Sequence, residues 1–137
     1  MLKECDAALI IGDAALRCSA EDYDITDLGA AWRDWQSRPF VFAVWGCRAS
    51  ALAVDDLSGI FQEARDWGMN RLEEIAANYS QALSLPAAFL EKYLRCNLDH
   101  SLGPEHIDGL QRFYRLAFEA GLTDRLDPLR FIPQEGE

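Results

Sequence analysis

The stretch Asp6-Ala-Ala-Leu-Ile-Ile-Gly-Asp-Ala-Ala-Leu16 decides the predicted fold, because an apolar run ends at Gly12 and a helix start follows it. The apolar run, residues 7–11, is continuous rather than alternating. That pattern is typical of a strand covered on both faces in a parallel α/β sheet. Gly12 allows a sharp turn, and Asp13 can cap the first free amides of the helix. The stretch therefore predicts a strand, a turn and a helix in an α/β fold.

This turn is also the first candidate for a functional site. Open α/β folds often bind ligands where a strand leads into a helix, because unpaired amides and the helix dipole favour an anion there. The free amides would be those near Asp13, Ala14 and Ala15. A small negatively charged ligand is the corresponding hypothesis. Asp13 acting only as the N-cap of a core element explains the same pattern equally well.

Composition limits the classes of protein that fit. The 137 residues are 50% hydrophobic, which is enough for one domain with a real core. No apolar run approaches the roughly 20 residues of a membrane span, and the N-terminus lacks the features of a signal peptide. The formal charge of −10 argues against nucleic acid or an anionic membrane as partner. We therefore expect a soluble, cytoplasmic protein.

The four cysteines, Cys5, Cys18, Cys47 and Cys96, lie far apart in the sequence. They form no C-x-x-C motif, and no histidine lies near enough in sequence to suggest zinc. We expect reduced, mostly buried thiols and no metal site.

A helix and a second strand follow the first turn. Thr26 or Asp27 can cap the helix, whose apolar face carries Leu28, Trp32 and Trp35, and Pro39 ends it. The run Pro39-Phe-Val-Phe-Ala-Val-Trp45 is rich in aromatic and β-branched residues and too short for a buried helix, so it predicts a strand. Phe42 and Trp45 would then face opposite sides. Their rings either pack in the core or wall a cleft for a ring-shaped ligand.

Beyond Gly46 the sequence predicts helices only. Asp55 or Asp56 begins one that Gly68 stops or loosens, and a segment from Leu72 to Tyr79 forms the next. A further helix is predicted with a cap at Ser84, an early-turn proline at Pro86 and an end near Asn97. The last predicted helix starts at Gly103-Pro104-Glu105 and has its C-terminal cap at Gly121. A parallel sheet that is buried on both faces usually has several more than two strands, with helices on either side. We therefore expect either a partner, including a second copy, or a larger protein whose last part this chain is.

Several of these motifs together carry a family resemblance. The opening stretch, Asp27-Leu-Gly-Ala-Ala-Trp-Arg-Asp-Trp35 and Pro39-Phe-Val-Phe-Ala-Val-Trp45 in this order resemble the chorismate dehydratase family of the futalosine route to menaquinone. The later motifs that agree are Tyr93-Leu-Arg-Cys-Asn-Leu98, Leu102-Gly-Pro-Glu105, Gly109-Leu-Gln-Arg-Phe-Tyr-Arg115 and Gly121-Leu122. The similarity covers essentially the whole chain but only about the second half of a typical member.

The resemblance implies a fold and a domain organisation. Family members are similar to type II periplasmic binding proteins, with two α/β lobes around a ligand cleft. The whole chain, residues 1–137, would be the C-terminal portion of such an enzyme. Residues 1–45 would supply the end of the second lobe and a hinge strand, and residues 46–137 a helical C-terminal region. We expect a truncated reading frame, a misassigned start or half of a split gene, with the missing N-terminal half as the partner.

The resemblance also implies a reaction, the dehydration of chorismate to 3-enolpyruvylbenzoate, which requires no redox cofactor and no metal. The substrate-binding residues in this half would be Gly12, Asp13, Ala14, Ala15, Phe42 and Trp45. The catalytic base is not identified, and we expect the isolated chain to be inactive. The alternative hypothesis is a non-catalytic ligand-binding half or remnant with a periplasmic-binding-protein-like fold.

Three arginines lie closest in sequence to the predicted cleft elements: Arg17, Arg38 and Arg48. A guanidinium can hold a carboxylate through two hydrogen bonds, but a surface position is the simpler expectation for each. His100 and His106 lie far from the cleft motifs in the sequence, and we assign neither a catalytic role.

Overall fold

The computed structural model describes residues 5–18, 23–48 and 57–132, and all regular secondary structure in these ranges is helical. The helices are α1 (Asp13–Leu16), α2 (Leu28–Gln36), α3 (Leu57–Met69), α4 (Leu72–Leu83), α5 (Ala87–Cys96) and α6 (Pro104–Glu119). The chain divides into two units that alternate along the sequence. The first unit comprises Met1–Thr26 and Arg71–Leu98, and the second comprises Asp27–Asn70 and Asp99–Glu137.

The predicted α/β fold is therefore wrong, and the likeness to a type II periplasmic binding protein fold is not supported. Residues 7–11 and 39–45 form no strand. A strand is stable only when its backbone N–H and C=O groups are paired with a neighbouring strand, and no such neighbour occurs in the described ranges. The two-sided burial expected of residues 7–11 is also missing, since Leu9 is 70% and Ile11 76% exposed. A continuous apolar run could not by itself reveal whether a pairing partner exists.

The ends of α2 follow the predicted local signals. Asp27 is the N-cap, and its Oδ1 accepts a hydrogen bond of 2.9 Å from the amide of Ala30. The helix ends at Ser37, which adopts a left-handed conformation with φ of 53° and donates its amide to the carbonyl of Arg33 at 2.8 Å. The last helical residue, Gln36, is thus three residues before Pro39.

Helices α4 and α5 pack against each other in the first unit. Ser84 was predicted to cap the start of α5, but it ends α4 instead, with φ of 53°. The amides of Ser84 and Leu85 donate to the carbonyls of Gln81 and Ser80, the pattern of a Schellman motif. Pro86 takes the N-cap position of α5. The hairpin is held by the buried side chains of Leu72, Ala76 and Leu90.

Helix α3 lies in the second unit and buries none of its side chains. Gly68 was predicted to stop or loosen the helix but lies within it. The predicted start at Asp55 or Asp56 lies outside the described residues. Because Ile60 and Trp67 are more than half exposed, the amphipathic pattern of α3 does not lead to burial here.

Helix α6 begins and ends as predicted. Gly103 is its N-cap and Pro104 its first residue, where the missing proline N–H costs no helical hydrogen bond. At the other end Gly121 has φ of 69°, and the amides of Gly121 and Leu122 donate at 2.9 Å to the carbonyls of Phe118 and Ala117. Leu110 from this helix and Trp32 from α2 are buried apolar residues of the second unit.

Candidate functional site

The predicted anion site lies at the Gly12 turn of the first unit. Gly12 has φ of 66° and ψ of −147°, a combination that essentially only glycine adopts. An added Cβ would meet no atom within 4 Å, so the backbone conformation and not crowding requires glycine here. The prediction of a sharp turn at Gly12 is confirmed.

The residues after the turn differ in part from the prediction. Gly12 itself is the N-cap of α1, and no side chain makes a capping hydrogen bond, so the capping role predicted for Asp13 is wrong. The amide of Ala15 donates to the carbonyl of Gly12 at 2.9 Å and is not available to a ligand. The amides of Asp13 and Ala14 are the first two of the helix and have no acceptor within it, and both residues are exposed. Two amides, rather than three, can therefore meet an anion.

A hollow of about 160 Å³ opens beside this turn within the first unit. Ala76 and Leu90, which are buried, form its base, and further aliphatic side chains come from α1, α4 and α5. Tyr79 and Tyr93 also line it. Asp13 is the one charged residue of the lining. The prediction from sequence missed this hollow because α4 and α5 are distant from α1 along the chain.

Phe42, a predicted wall residue, belongs to an aromatic cluster of the second unit. Trp32 is the buried centre, and the rings of Phe40 and Phe113 lie 5.7 Å from it, edge to face. Phe42 contacts Phe40 at a centroid distance of 4.7 Å but remains 73% exposed. Trp35 also contacts Trp32, and its ring is largely exposed. The cluster thus has one buried ring and exposed rings at its edge.

The indole N–H of Trp32 is buried and has no hydrogen-bond acceptor among the residues that the structure describes. Buried donors normally have a partner, so this group is an exception within the cluster. Trp45, the other predicted wall residue, contacts Phe61 of α3 at a centroid distance of 5.0 Å, with the ring planes tilted by 36°. Trp45 is 84% exposed. The six predicted substrate-binding residues thus divide between the two units, with Gly12 to Ala15 in the first and Phe42 and Trp45 in the second.

Of the three arginines considered, Arg38 is committed to structural contacts. Its Nε donates to the carboxylate of Asp108 on α6, and its NH1 group donates to the carbonyl of Gln36 at 3.0 Å. Arg17 and Arg48 are exposed, as the simpler expectation predicted.

The histidine of α6 has a structural position that explains its burial. His106 Nδ1 accepts a hydrogen bond of 3.2 Å from the amide of Gly103, the N-cap of the helix. Nε2 lies 3.2 Å from Asp99 Oδ2. Because Nδ1 accepts, Nε2 carries the proton and donates to Asp99. His106 therefore acts as a capping residue, and His100 is exposed.

Asp99 makes hydrogen bonds within the segment that precedes α6. Its Oδ1 accepts hydrogen bonds from the hydroxyl of Ser101 at 2.6 Å and from the amide of Ser101 at 2.8 Å. These two bonds, and to a lesser degree His106, lower the pKa of the Asp99 carboxyl. The sequence signals that could have revealed the network are Asp-x-Ser as a side-chain turn and a hydrogen-bonding residue three positions after Gly103.

The expectation of mostly buried thiols is wrong. Cys5, Cys47 and Cys96 are exposed, and Cys18 is half-buried. In the described part of the chain, no group of three or more histidine, cysteine, aspartate or glutamate side chains could hold a metal ion. Over the same residues, no helix is long and apolar enough to cross a membrane.

Comparison with known proteins places these features in a family. A chorismate dehydratase from Thermus thermophilus is 28% identical over 130 residues, which cover 82% of this chain and 48% of that protein. The chain thus spans about half the length of this curated relative. No solved structure gives a significant match. A family model described as menaquinone biosynthesis matches residues 1–119, and the chain belongs to this menaquinone biosynthesis family.

Proposed function

We propose that this chain is part of a chorismate dehydratase and corresponds to about the second half of such an enzyme. The observation that carries the proposal is the family match over residues 1–119, together with the similarity to the Thermus thermophilus chorismate dehydratase. The reaction converts chorismate to 3-enolpyruvylbenzoate and water. A base removes a proton from the ring, the ring hydroxyl leaves and is protonated to water, and the ring becomes aromatic.

The role proposed for the Gly12 turn is to bind one carboxylate of chorismate. The amides of Asp13 and Ala14, two exposed residues, support this role, because an oxyanion can accept hydrogen bonds from both. Gly12 permits the backbone to present them, and the Ala15 amide holds the turn through its bond to the Gly12 carbonyl. With only four residues, α1 adds little dipole, so the two amides supply most of the attraction.

For Phe42 and Trp45, each taken within the second unit alone, we propose contact with an aromatic ring of a ligand. Their exposure supports this, since each ring contacts one neighbouring aromatic residue, Phe40 or Phe61, and remains more than 70% exposed. Stacking and edge-to-face contacts suit a flat ring of the product type. This proposal concerns only Phe42 and Trp45, which both lie in the second unit.

The experiment that tests the function is an assay of a hybrid enzyme. This chain is joined in place of the matching 48% of the Thermus thermophilus protein, and the product is measured by mass spectrometry. We expect the hybrid to form 3-enolpyruvylbenzoate and the isolated 137-residue chain to form none. A hybrid carrying Gly12→Val serves as the matched control, because valine cannot adopt the backbone conformation of Gly12.

Two results would count against the proposal. A hybrid that unfolds cooperatively and binds chorismate but forms no product would contradict the dehydratase function. Turnover by the isolated chain would instead contradict the proposal that it supplies only half of the enzyme.

A further inference from the structure

His106 joins the start of α6 to the segment that precedes it through both nitrogens of its ring. Nδ1 accepts a hydrogen bond of 3.2 Å from the amide of Gly103, and Nε2 lies 3.2 Å from Asp99 Oδ2. The side chain is only 10% exposed. The two protein groups, rather than water, are therefore the main polar partners of the ring.

The two contacts of the ring respond differently to a proton. A neutral imidazole has one donor nitrogen and one acceptor nitrogen, whereas an imidazolium has two donors. Nε2 can donate to Asp99 in both forms. Nδ1 can accept the Gly103 amide only in the neutral form, because in the charged form two N–H groups would face each other. Protonation of the ring and the hydrogen bond to Gly103 therefore exclude each other.

The charged groups around the ring leave this conflict in place. Among the residues that the structure describes, Asp99 is the one carboxylate within ion-pair distance of the ring. Two hydrogen bonds lower the pKa of its carboxyl, so it stays ionised in the range where histidine titrates. Glu105 and Asp108 are exposed residues of α6, and the Asp108 carboxylate accepts from Arg38, which follows α2. Asp99 thus holds the ring at Nε2, and no charge replaces the acceptor at Nδ1.

We propose that His106 is a pH-sensitive cap of α6, which releases the Gly103 amide when the ring takes up a proton. Histidine is the side chain that ordinarily changes its charge between pH 5 and pH 8, so the cap opens within that range. The first turn of the helix persists, because the Gly103 carbonyl still accepts from the amides of His106 and Ile107 at 3.0 and 3.1 Å. The proposal is independent of the proposed dehydratase function.

An NMR titration of the full 137-residue chain from pH 8 to pH 5 tests the proposal. The ring nitrogen signals of His106 report its protonation, and hydrogen exchange, corrected for the intrinsic effect of pH, reports the protection of each amide. Protection of the Gly103 amide should fall roughly twofold to tenfold as the ring is protonated, the equivalent of one typical hydrogen bond. Protection of the Ile107 amide, which donates to the Gly103 carbonyl, should stay constant.

Two variants assign the response to one histidine. His106→Gln keeps an oxygen that can accept the Gly103 amide but takes up no proton in this range, so protection of Gly103 should no longer depend on pH. His100→Gln is the matched control, because His100 is exposed and lies in the segment that precedes α6, and it should leave the response intact.

Four results would overturn the proposal. The first is a His106 ring that stays neutral down to pH 5, and the second is constant protection of Gly103 while the ring is protonated. The others are a response that persists in His106→Gln and one that is lost in His100→Gln.

Discussion

Replacing Gly109 by alanine is expected to destabilise the second unit, although the same change in an open helix normally stabilises. Gly109 is buried in α6, where the helix passes close to the chain at Pro39. An added Cβ would lie 2.3 Å from the carbonyl oxygen of Pro39, which is 0.7 Å short of the 3.0 Å below which such contacts essentially never occur. A backbone oxygen cannot rotate away as a side chain can, so α6 and the Pro39 segment must separate.

The magnitude follows from two opposing terms. Alanine in place of glycine within a helix gains about 0.5–1 kcal/mol from the reduced backbone entropy of the unfolded chain. Forcing an extra carbon into a closed contact costs about 1–3 kcal/mol. Separation also moves Phe40, the residue after Pro39, away from Trp32 and Phe113. We therefore expect Gly109→Ala to lower the free energy of unfolding by roughly 1–2 kcal/mol.

Urea unfolding, followed by circular dichroism at the helical band and by tryptophan fluorescence, measures the effect. Gly68→Ala in α3 is the matched control, because its Cβ would meet nothing within 4 Å and should raise stability by about 0.5–1 kcal/mol. Gly29→Ala should change the free energy of unfolding by an amount between those of the other two variants. Its Cβ would meet the Phe42 ring at 2.8 Å, but that ring is largely exposed and can move. A Gly109→Ala protein as stable as Gly68→Ala would refute the close approach of α6 to Pro39.

Three further predictions concern helix ends and pH. Asp27→Ala removes the 2.9 Å bond to the Ala30 amide and should cost about 1 kcal/mol in urea unfolding, whereas Asp27→Ser should retain most of the stability. His106→Ala should lower the unfolding free energy by roughly 1–2 kcal/mol, while glutamine, which can accept the same N-cap amide bond, should lose less. Because hydrogen bonds from Ser101 lower the pKa of Asp99, its ionised form stabilises the fold above the ordinary aspartate pKa, and this contribution is lost as pH falls through the lowered value. The stability difference between the natural protein and Asp99→Asn should therefore shrink between about pH 5 and pH 2, and a constant difference would contradict the Ser101 contacts.

The helix boundaries were predictable where the signal is local. The cap at Asp27, the start at Gly103-Pro104 and the end at Gly121 each depend on a few neighbouring residues and are confirmed. Ser84 shows the limit of this reasoning, because a serine between two helices can cap the start of one or end the other. In the structure the amides of Ser84 and Leu85 bond back to α4, so the residue ends that helix.

The strands were not predictable in the same way, because pairing is a non-local property. Residues 7–11 and 39–45 have the composition of strands but no neighbour in the described chain, and Phe40 packs on Trp32 and Phe113 instead. In the candidate site, the glycine conformation at Gly12 could be predicted from the sequence. The hollow beside Asp13 could not, since its base comes from Ala76 and Leu90 on other helices.

The measurement that tests the central claim most directly is an NMR titration of the labelled chain with chorismate. If the Gly12 turn binds a substrate carboxylate, the NMR signals of the Asp13 and Ala14 amides shift in a saturable manner. Gly12→Val abolishes these shifts, while the signals of α4 and α5 still show that both helices are folded. If those two amides remain unchanged while chorismate is added to saturation, the turn is not the carboxylate site and the account is wrong.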